Sequence, residues 1–146
     1  MERILVGIDG KEENDKVVDF AVELAKSSGA SLILAYSITD KSVPAAIAEE
    51  YRDEKGYLDE ERYYKDLFER AAADAERKLA KTKVPFEGIW GYGDPSKFLL
   101  SLAKSHKANV IVVGIHGLRG FGKVKALREV ARNVIERSQV PVVAVP

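Results

Sequence analysis

The chain has 146 residues, which fits one domain and can bury a sizeable core without disulfide or metal staples. Hydrophobic residues make up 46% and charged residues 32%, with 23 Lys plus Arg balancing 23 Asp plus Glu, so no net field draws the protein to nucleic acid or an anionic membrane. Cysteine is absent and the only histidines are His106 and His116, which excludes disulfides, thiolate metal sites, cysteine nucleophiles and a multi-histidine metal centre.

Ile4-Leu-Val-Gly-Ile8 is a short apolar run ending at Asp9-Gly10, the signature of a strand buried on both faces. Val17, Val18, Ala21, Leu24 and Ala25 then share one helical face, with Asn14 or Asp15 as the cap and Gly29 as the stop. Leu32 to Tyr36 is a second strand. From Thr39 to about Arg62 the pattern is weaker. Seven acidic and three basic residues lie between Glu49 and Arg62, and the stretch reads as a long, partly helical excursion whose order the sequence leaves open.

Tyr64, Leu67, Phe68, Ala71, Ala72, Ala75 and Leu79 define the apolar face of a long helix. Val84 to Trp90 is a third strand, with Pro85 at its start. Gly93-Asp94-Pro95 is a helix entry, because Asp94 can cap and Pro95 lacks only an N–H that would be orphaned anyway. Phe98, Leu99, Leu102 and Ala103 face the core from that helix. Val110 to Val113 is a fourth strand. A last helix presents Leu127, Val130, Ala131, Val134 and Ile135 on one face, and Val140 to Val145 is the last strand.

Strands and helices alternating at this spacing predict an α/β fold: a doubly wound parallel sheet with helices on both faces, in a single domain over residues 1–146. Ligands in such folds sit at the carboxyl ends of the strands, where the strand order reverses. The fourth strand leads into Gly114-Ile-His-Gly-Leu-Arg-Gly-Phe-Gly122, with four glycines in nine residues. Glycine allows main-chain N–H groups to approach a ligand closely, and the following helix N-terminus favours an anion. Arg119, Lys123, Lys125, Arg128 and Arg132 stand against Glu129, a local excess of +4. Gly117 to Lys123 nearly spells a P-loop, but Val124 stands where magnesium coordination needs Ser or Thr. His116 has no carboxylate or serine partner in motif, so it reads as a ligand contact or loop anchor, and Trp90 and Tyr92 read as packing residues.

Four segments in this order resemble the universal stress protein family along nearly the whole chain. They are Ile4-Leu-Val-Gly-Ile-Asp-Gly10, Ala21 to Ala30, Gly93-Asp94-Pro95, and Val110-Ile-Val-Val-Gly-Ile-His-Gly117 with Asn133-Val-Ile135 and Pro141 to Val145. The resemblance implies a five-stranded sheet of order 3-2-1-4-5 and a homodimer formed through the last strand, Val140 to Val145. That edge would be apolar and unprotected, which invites pairing.

Some members of the family bind ATP. In those the loop carries G-x-x-G and, further on, a glycine followed by Ser or Thr. Gly114 and Gly117 match the first half. Alignment on Asn133-Val-Ile135 puts Arg128 and Glu129 at the second, with Val130 following, whereas counting forward from Gly117 puts Leu127 and Arg128 there; either way the small pair is absent. A carboxylate there opposes a phosphate: two like unit charges 4 Å apart repel by about 4 kcal/mol at an effective dielectric of about 20. The adenine side is better kept. The resemblance places Gly7, Ile8 and Asp9 at the base-binding edge, with Ser37 and Val113 close by.

The expected function is therefore a dimeric stress-response regulator with an incomplete adenine-nucleotide site, for ATP with magnesium or a related nucleotide, and no catalytic residue. The alternatives are an interaction module of the same family with no cofactor, its partner an unknown protein, and, weakest, a slow ATPase. No metal-ligand motif or specific nucleic-acid partner is expected. Met1 to Gly7 turns polar too soon for a signal peptide, and no apolar run reaches the roughly 20 residues a membrane helix needs, so the expected location is the cytoplasm, away from membranes.

Overall fold

The computed structural model describes residues 1–8, 15–38, 43–115 and 121–146, with the backbone alone at 38 and 121–128. Its strands are β1 (Arg3–Ile8), β2 (Ser31–Ile38), β3 (Phe86–Tyr92), β4 (Val110–Gly114) and β5 (Val142–Val145). The helices between them are α1 (Asp15–Ser28), α2 (Glu60–Ala80), α3 (Pro95–Ser105) and α4 (Phe121–Arg137), and a 3₁₀ segment, Ala45–Tyr51, precedes α2. The strands pair in parallel in the order β3-β2-β1-β4-β5, as expected.

Alternation along the strands sends side chains to two separate cores. Ile4, Val6, Ile8, Leu32, Leu34, Tyr36, Val110 and Val112 meet α1 and α2, through Val17, Val18, Ala21, Val22, Ala25 and Leu79. Leu5, Ile33, Ala35, Ile111 and Val113 meet α3 and α4, through Leu99, Leu102, Ala103, Ala131 and Val134. Each such aliphatic side chain contributes roughly 1.5–3 kcal/mol on burial. The ion pairs are partly or fully exposed. Lys78, 2.8 Å from Asp19 and 3.3 Å from Asp15, ties α2 to α1, and such a pair contributes only about 0–1 kcal/mol. The two cores therefore decide the fold.

Local signals behave as read at most ends. Gly29 adopts φ +72° just past α1, where glycine carries no side-chain penalty, and the Ala30 N–H donates to Ala25 at 3.1 Å. Asp15 is the first residue of α1, and Asn14 lies outside the described residues. The start of β1 is tied to β4 by one side chain: Asn109 Oδ1 accepts the N–H groups of Glu2 and Arg3 at 2.7 and 2.8 Å, and its own N–H donates to the Arg3 carbonyl.

Two strand starts and the burial of one side chain differ from expectation, and the order of the acidic stretch, left open by its pattern, is decided. The third strand begins two residues late: the Pro85 carbonyl accepts from Leu32, but Val84 turns its N–H to Thr82 Oγ1, and its apolarity reflects burial. The last strand begins at Val142, because Ser138 Oγ accepts the Val140 N–H and donates to its carbonyl in a turn. Ile135 is 52% exposed although its period put it with Val134 and Ala131 in the core. The acidic stretch is folded from 45 onward. After the 3₁₀ segment an Arg52–Leu58 bridge closes a turn in which Asp53 Oδ1 accepts the N–H groups of Lys55 and Tyr57, and Asp59 caps α2 at Arg62 N.

Seven aromatic rings hold that stretch and α2 to the sheet. Tyr36 meets Phe68 edge-on at 5.1 Å, Phe68 stacks on Trp90, Trp90 meets Tyr92, Tyr92 meets Tyr64, and the contacts continue through Tyr63 to Tyr51. On the opposite side of β3, a Cβ at Gly91 would lie 2.6 Å from Phe98 Cε2, inside van der Waals contact with a half-buried ring. Gly91→Ala should destabilise the fold by about 1–3 kcal/mol, read as a lower urea midpoint at unchanged slope. A midpoint equal to wild type would show that Phe98 moves aside freely.

Candidate functional site

The connections run outward from β1 to β2 and β3, then cross back to β4 and β5, so the order reverses between β1 and β4. The seam at this switch point is short. Among the described residues, the β1–β4 register runs from Ile4 with Val110 to Val6 with Val112 and ends there. Both strands continue, but each keeps only its outer neighbour: Gly7 and Ile8 pair with Ala35 and Tyr36, while Val113 and Gly114 pair with Ala144 and Val145. The main chains at 7–8 and 113–114 thus part at the carboxyl edge of the sheet, where an open α/β fold takes its ligand.

This places four of the sequence-derived site residues together: Gly7, Ile8, Val113 and Gly114. Ile8 and Val113 are buried in opposite cores. A Cβ at Gly7 would stand 3.0 Å from Leu99 Cδ1 and 3.5 Å from Val113 Cγ1, so the glycine lets α3 close against β1. What these positions can offer a ligand is therefore mainly backbone. Ser37 stands half-buried one strand away, paired with Gly91. On α4, Glu129 is exposed and Val130 is half-buried against the core. Asp9, His116 and Gly117 lie outside the described residues, as does the Arg128 side chain. Helix α4 opens at Phe121, so the helix takes in the last two residues of the expected glycine loop.

The edge has one further built element that the site reading did not include. Gly93, at φ +102°, turns the chain from β3 into α3. Asp94 Oδ1 accepts from Ser96 Oγ at 2.7 Å and from the N–H groups of Ser96 and Lys97, and Ser96 is buried. The Gly-Asp-Pro entry was legible, whereas the role of Ser96 needed its burial. Nearby, burial first, with Glu76 and Asp74 adding, pushes the Tyr36 hydroxyl up to about 12, so it remains a neutral member of the aromatic row. Among the described residues, no group of three or more His, Asp or Glu converges as a metal site, and no helix is long and apolar enough to cross a membrane.

A doubly wound α/β domain with a parted switch point is the class of protein these features define. The whole chain, residues 1–146, matches the Universal stress protein family. It is 30% identical to universal stress protein YxiE of Bacillus subtilis (strain 168), over 98% of this chain and 97% of that one. Among solved structures it is similar to a universal stress protein in complex with cAMP, at 27% identity and TM-score 0.66, covering 99% and 97% of the two chains. It also shares its fold with UspA from Lactobacillus plantarum, at 22% identity and TM-score 0.70, covering 99% and 97%. The chain belongs to the universal stress protein family.

The Ser96 hydroxyl first, and then the N–H groups of Ser96 and Lys97, hold the Asp94 carboxyl below the usual carboxylate range. A carboxyl lowered on folding contributes stability above its unfolded pKa and loses it as pH falls through the folded value. Ser96→Ala should therefore move the Asp94 titration upward and bring the acid loss of the α3 cap to higher pH, measured by carboxyl-carbon NMR. An unmoved titration would assign the lowering to the backbone N–H groups.

Proposed function

We propose that this protein is a dimeric stress-response regulator that binds an adenine nucleotide at the β1–β4 crevice, with weakened hold on the phosphates. The observation that carries the reading is the end of the β1–β4 register at Val6 and Val112, beside Gly7 and Gly114. The relative in complex with cAMP, 27% identical over 99% of this chain, supports an adenine ligand. In this reading the main chain at Gly7, Ile8, Val113 and Gly114 holds the base, with Asp9 and Ser37 beside it. Gly114, His116 and Gly117 meet the phosphates, and magnesium would accompany ATP.

Arg128 and Glu129 replace the glycine and hydroxyl of the ATP-binding signature. Glu129 repels a polyphosphate, while Arg128, Arg119 and Lys123 attract one. The site is read as regulatory rather than catalytic, because Val124 supplies no magnesium ligand and His116 has no partner that would make it a base. The homodimer forms through β5, whose outer rim is a free sheet edge, and the expected location is the cytoplasm.

Calorimetric titration of the full chain with magnesium-ATP, and separately with cAMP, tests the site. ATP should bind with a Kd weaker than about 1 μM, and Glu129→Ser should tighten it about tenfold. Sub-micromolar ATP affinity in the wild type would overturn the weakened phosphate site. Heat from neither nucleotide, with none co-purifying by mass spectrometry, would overturn nucleotide binding and favour the interaction module. The dimer should persist in sedimentation equilibrium at about 100 μM, as a paired edge strand implies, and a monomer there would overturn it.

A further inference from the structure

Five of the seven rings between the sheet and the acidic stretch are oxidisable side chains in unbroken succession. Between ring centroids, Trp90 and Tyr92 lie 5.1 Å apart, Tyr92 and Tyr64 4.9 Å, Tyr64 and Tyr63 5.5 Å, and Tyr63 and Tyr51 5.2 Å. These are the spacings of rings in contact. Packing α2 on the sheet needs apolar volume, which Phe or Leu supplies equally well. An indole followed by four phenols supplies a series of one-electron donors in addition.

The two ends of this row differ. Trp90, half-buried near the carboxyl end of β3, is the chain's one tryptophan, and with cysteine absent no thiol competes with it as an electron donor. Phe68, stacked on it at 5.7 Å, is not oxidised at potentials that oxidise an indole. Tyr36, the cross-strand partner of Trp90, is a poor donor. Its hydroxyl reaches the Ala71 carbonyl at 3.5 Å, which takes no proton, and burial pushes the phenol up to about 12. At the other end Tyr51 is buried, and its hydroxyl donates to the Asp66 carboxylate at 2.8 Å. A phenol gives up an electron readily when its proton leaves with it, and Asp66 is an acceptor already in place. The Arg62 guanidinium, 5.2 Å from the Tyr51 ring centroid, disfavours positive charge on that ring, so oxidation there favours loss of the proton.

We propose that this row is an electron-transfer relay that receives an oxidising equivalent at Trp90 and places it on Tyr51. A small one-electron oxidant, of the class of the carbonate radical, takes an electron from Trp90 and is itself reduced. An electron passes back through Tyr63, Tyr64 and Tyr92 and restores Trp90. Tyr51 supplies that electron and gives its phenolic proton to Asp66, which leaves a neutral tyrosyl radical beside a neutral carboxylic acid. A soluble enediol donor then returns one electron to Tyr51, and Asp66 returns the proton. The outcome is one small radical reduced per cycle, with the indole at the sheet intact.

Pulse radiolysis with the azide radical, a one-electron oxidant that prefers indole to protonated phenol, generates the tryptophanyl radical in the full chain. In the wild type the tryptophanyl absorbance should fall as the tyrosyl absorbance rises, at a rate independent of protein concentration. Tyr92→Phe keeps the ring and removes the phenol, so packing is retained while the transfer should slow at least about tenfold. Asp66→Asn keeps a hydrogen-bond partner for Tyr51 but removes the base, and should slow the transfer severalfold and cut the final tyrosyl yield. A wild-type tryptophanyl radical that decays only by bimolecular recombination would overturn the relay. A Tyr92→Phe rate equal to wild type would overturn the route, and an Asp66→Asn rate and yield equal to wild type would overturn Tyr51 as its end. If Asp66→Asn changed the near-ultraviolet circular dichroism, Tyr51→Phe would replace it, with the same expectation and the same overturning result.

Discussion

The pairing of β1 with β4 over Ile4–Val6 and Val110–Val112 is the constraint on which the rest of the molecule depends. It joins β1, β2 and β3 to β4 and β5 in one sheet. At its amino end the Asn109 side chain continues the ladder by accepting the N–H groups of Glu2 and Arg3. At its carboxyl end the two strands keep only their outer partners. A register pinned at one end and ended at the other parts the two strands only at their carboxyl ends, where the proposed site lies.

The glycines beside this seam are set by packing as much as by ligand access. Gly7 admits Leu99, Gly88 leaves room for Phe68 and Tyr36, and Gly91 leaves room for Phe98. At Gly7 and Gly91 a helix comes closer to the sheet than a Cβ would tolerate without a shift, whereas a Cβ at Gly88 would make only ordinary contact. Close packing of helices on both faces leaves main chain as what the carboxyl edge exposes, which suits recognition by backbone hydrogen bonds. The acidic stretch belongs to the same scheme. It is held by Tyr51, whose hydroxyl donates to Asp66 at 2.8 Å and whose ring carries Arg62, so its charges surround a buried aromatic anchor.

The phosphate side has a different balance. Backbone geometry can position a ligand, but the sign of nearby charge decides how strongly an anion is held. Arg128 and Glu129 are adjacent on α4 and oppose one another, and Glu129 is solvated. A solvated carboxylate repels an anion much less than a buried one, because water screens it. In the proposed reading the outcome is attenuation rather than loss of phosphate binding.

The strand–helix alternation, both double-faced cores, the Asp94 cap and the Gly29 stop were all legible in the sequence, because each rests on contacts within a few residues or on a period of two or 3.6. The 3-2-1-4-5 order and the site positions Gly7, Ile8 and Val113 came from resemblance and Gly114 from the glycine-rich loop, and the structure sets those four together at one edge. Tertiary contact decided the remainder. Ile135 has the period of a core residue, yet it is left half exposed. Val140 and Val84 are apolar like strand residues, but Ser138 and Thr82 take their N–H groups into turns. Nothing local in the acidic stretch announces that Tyr51 is buried, since its partners lie on α2. Periodicity reports which residues need cover, and only the assembled layers determine which of them receive it.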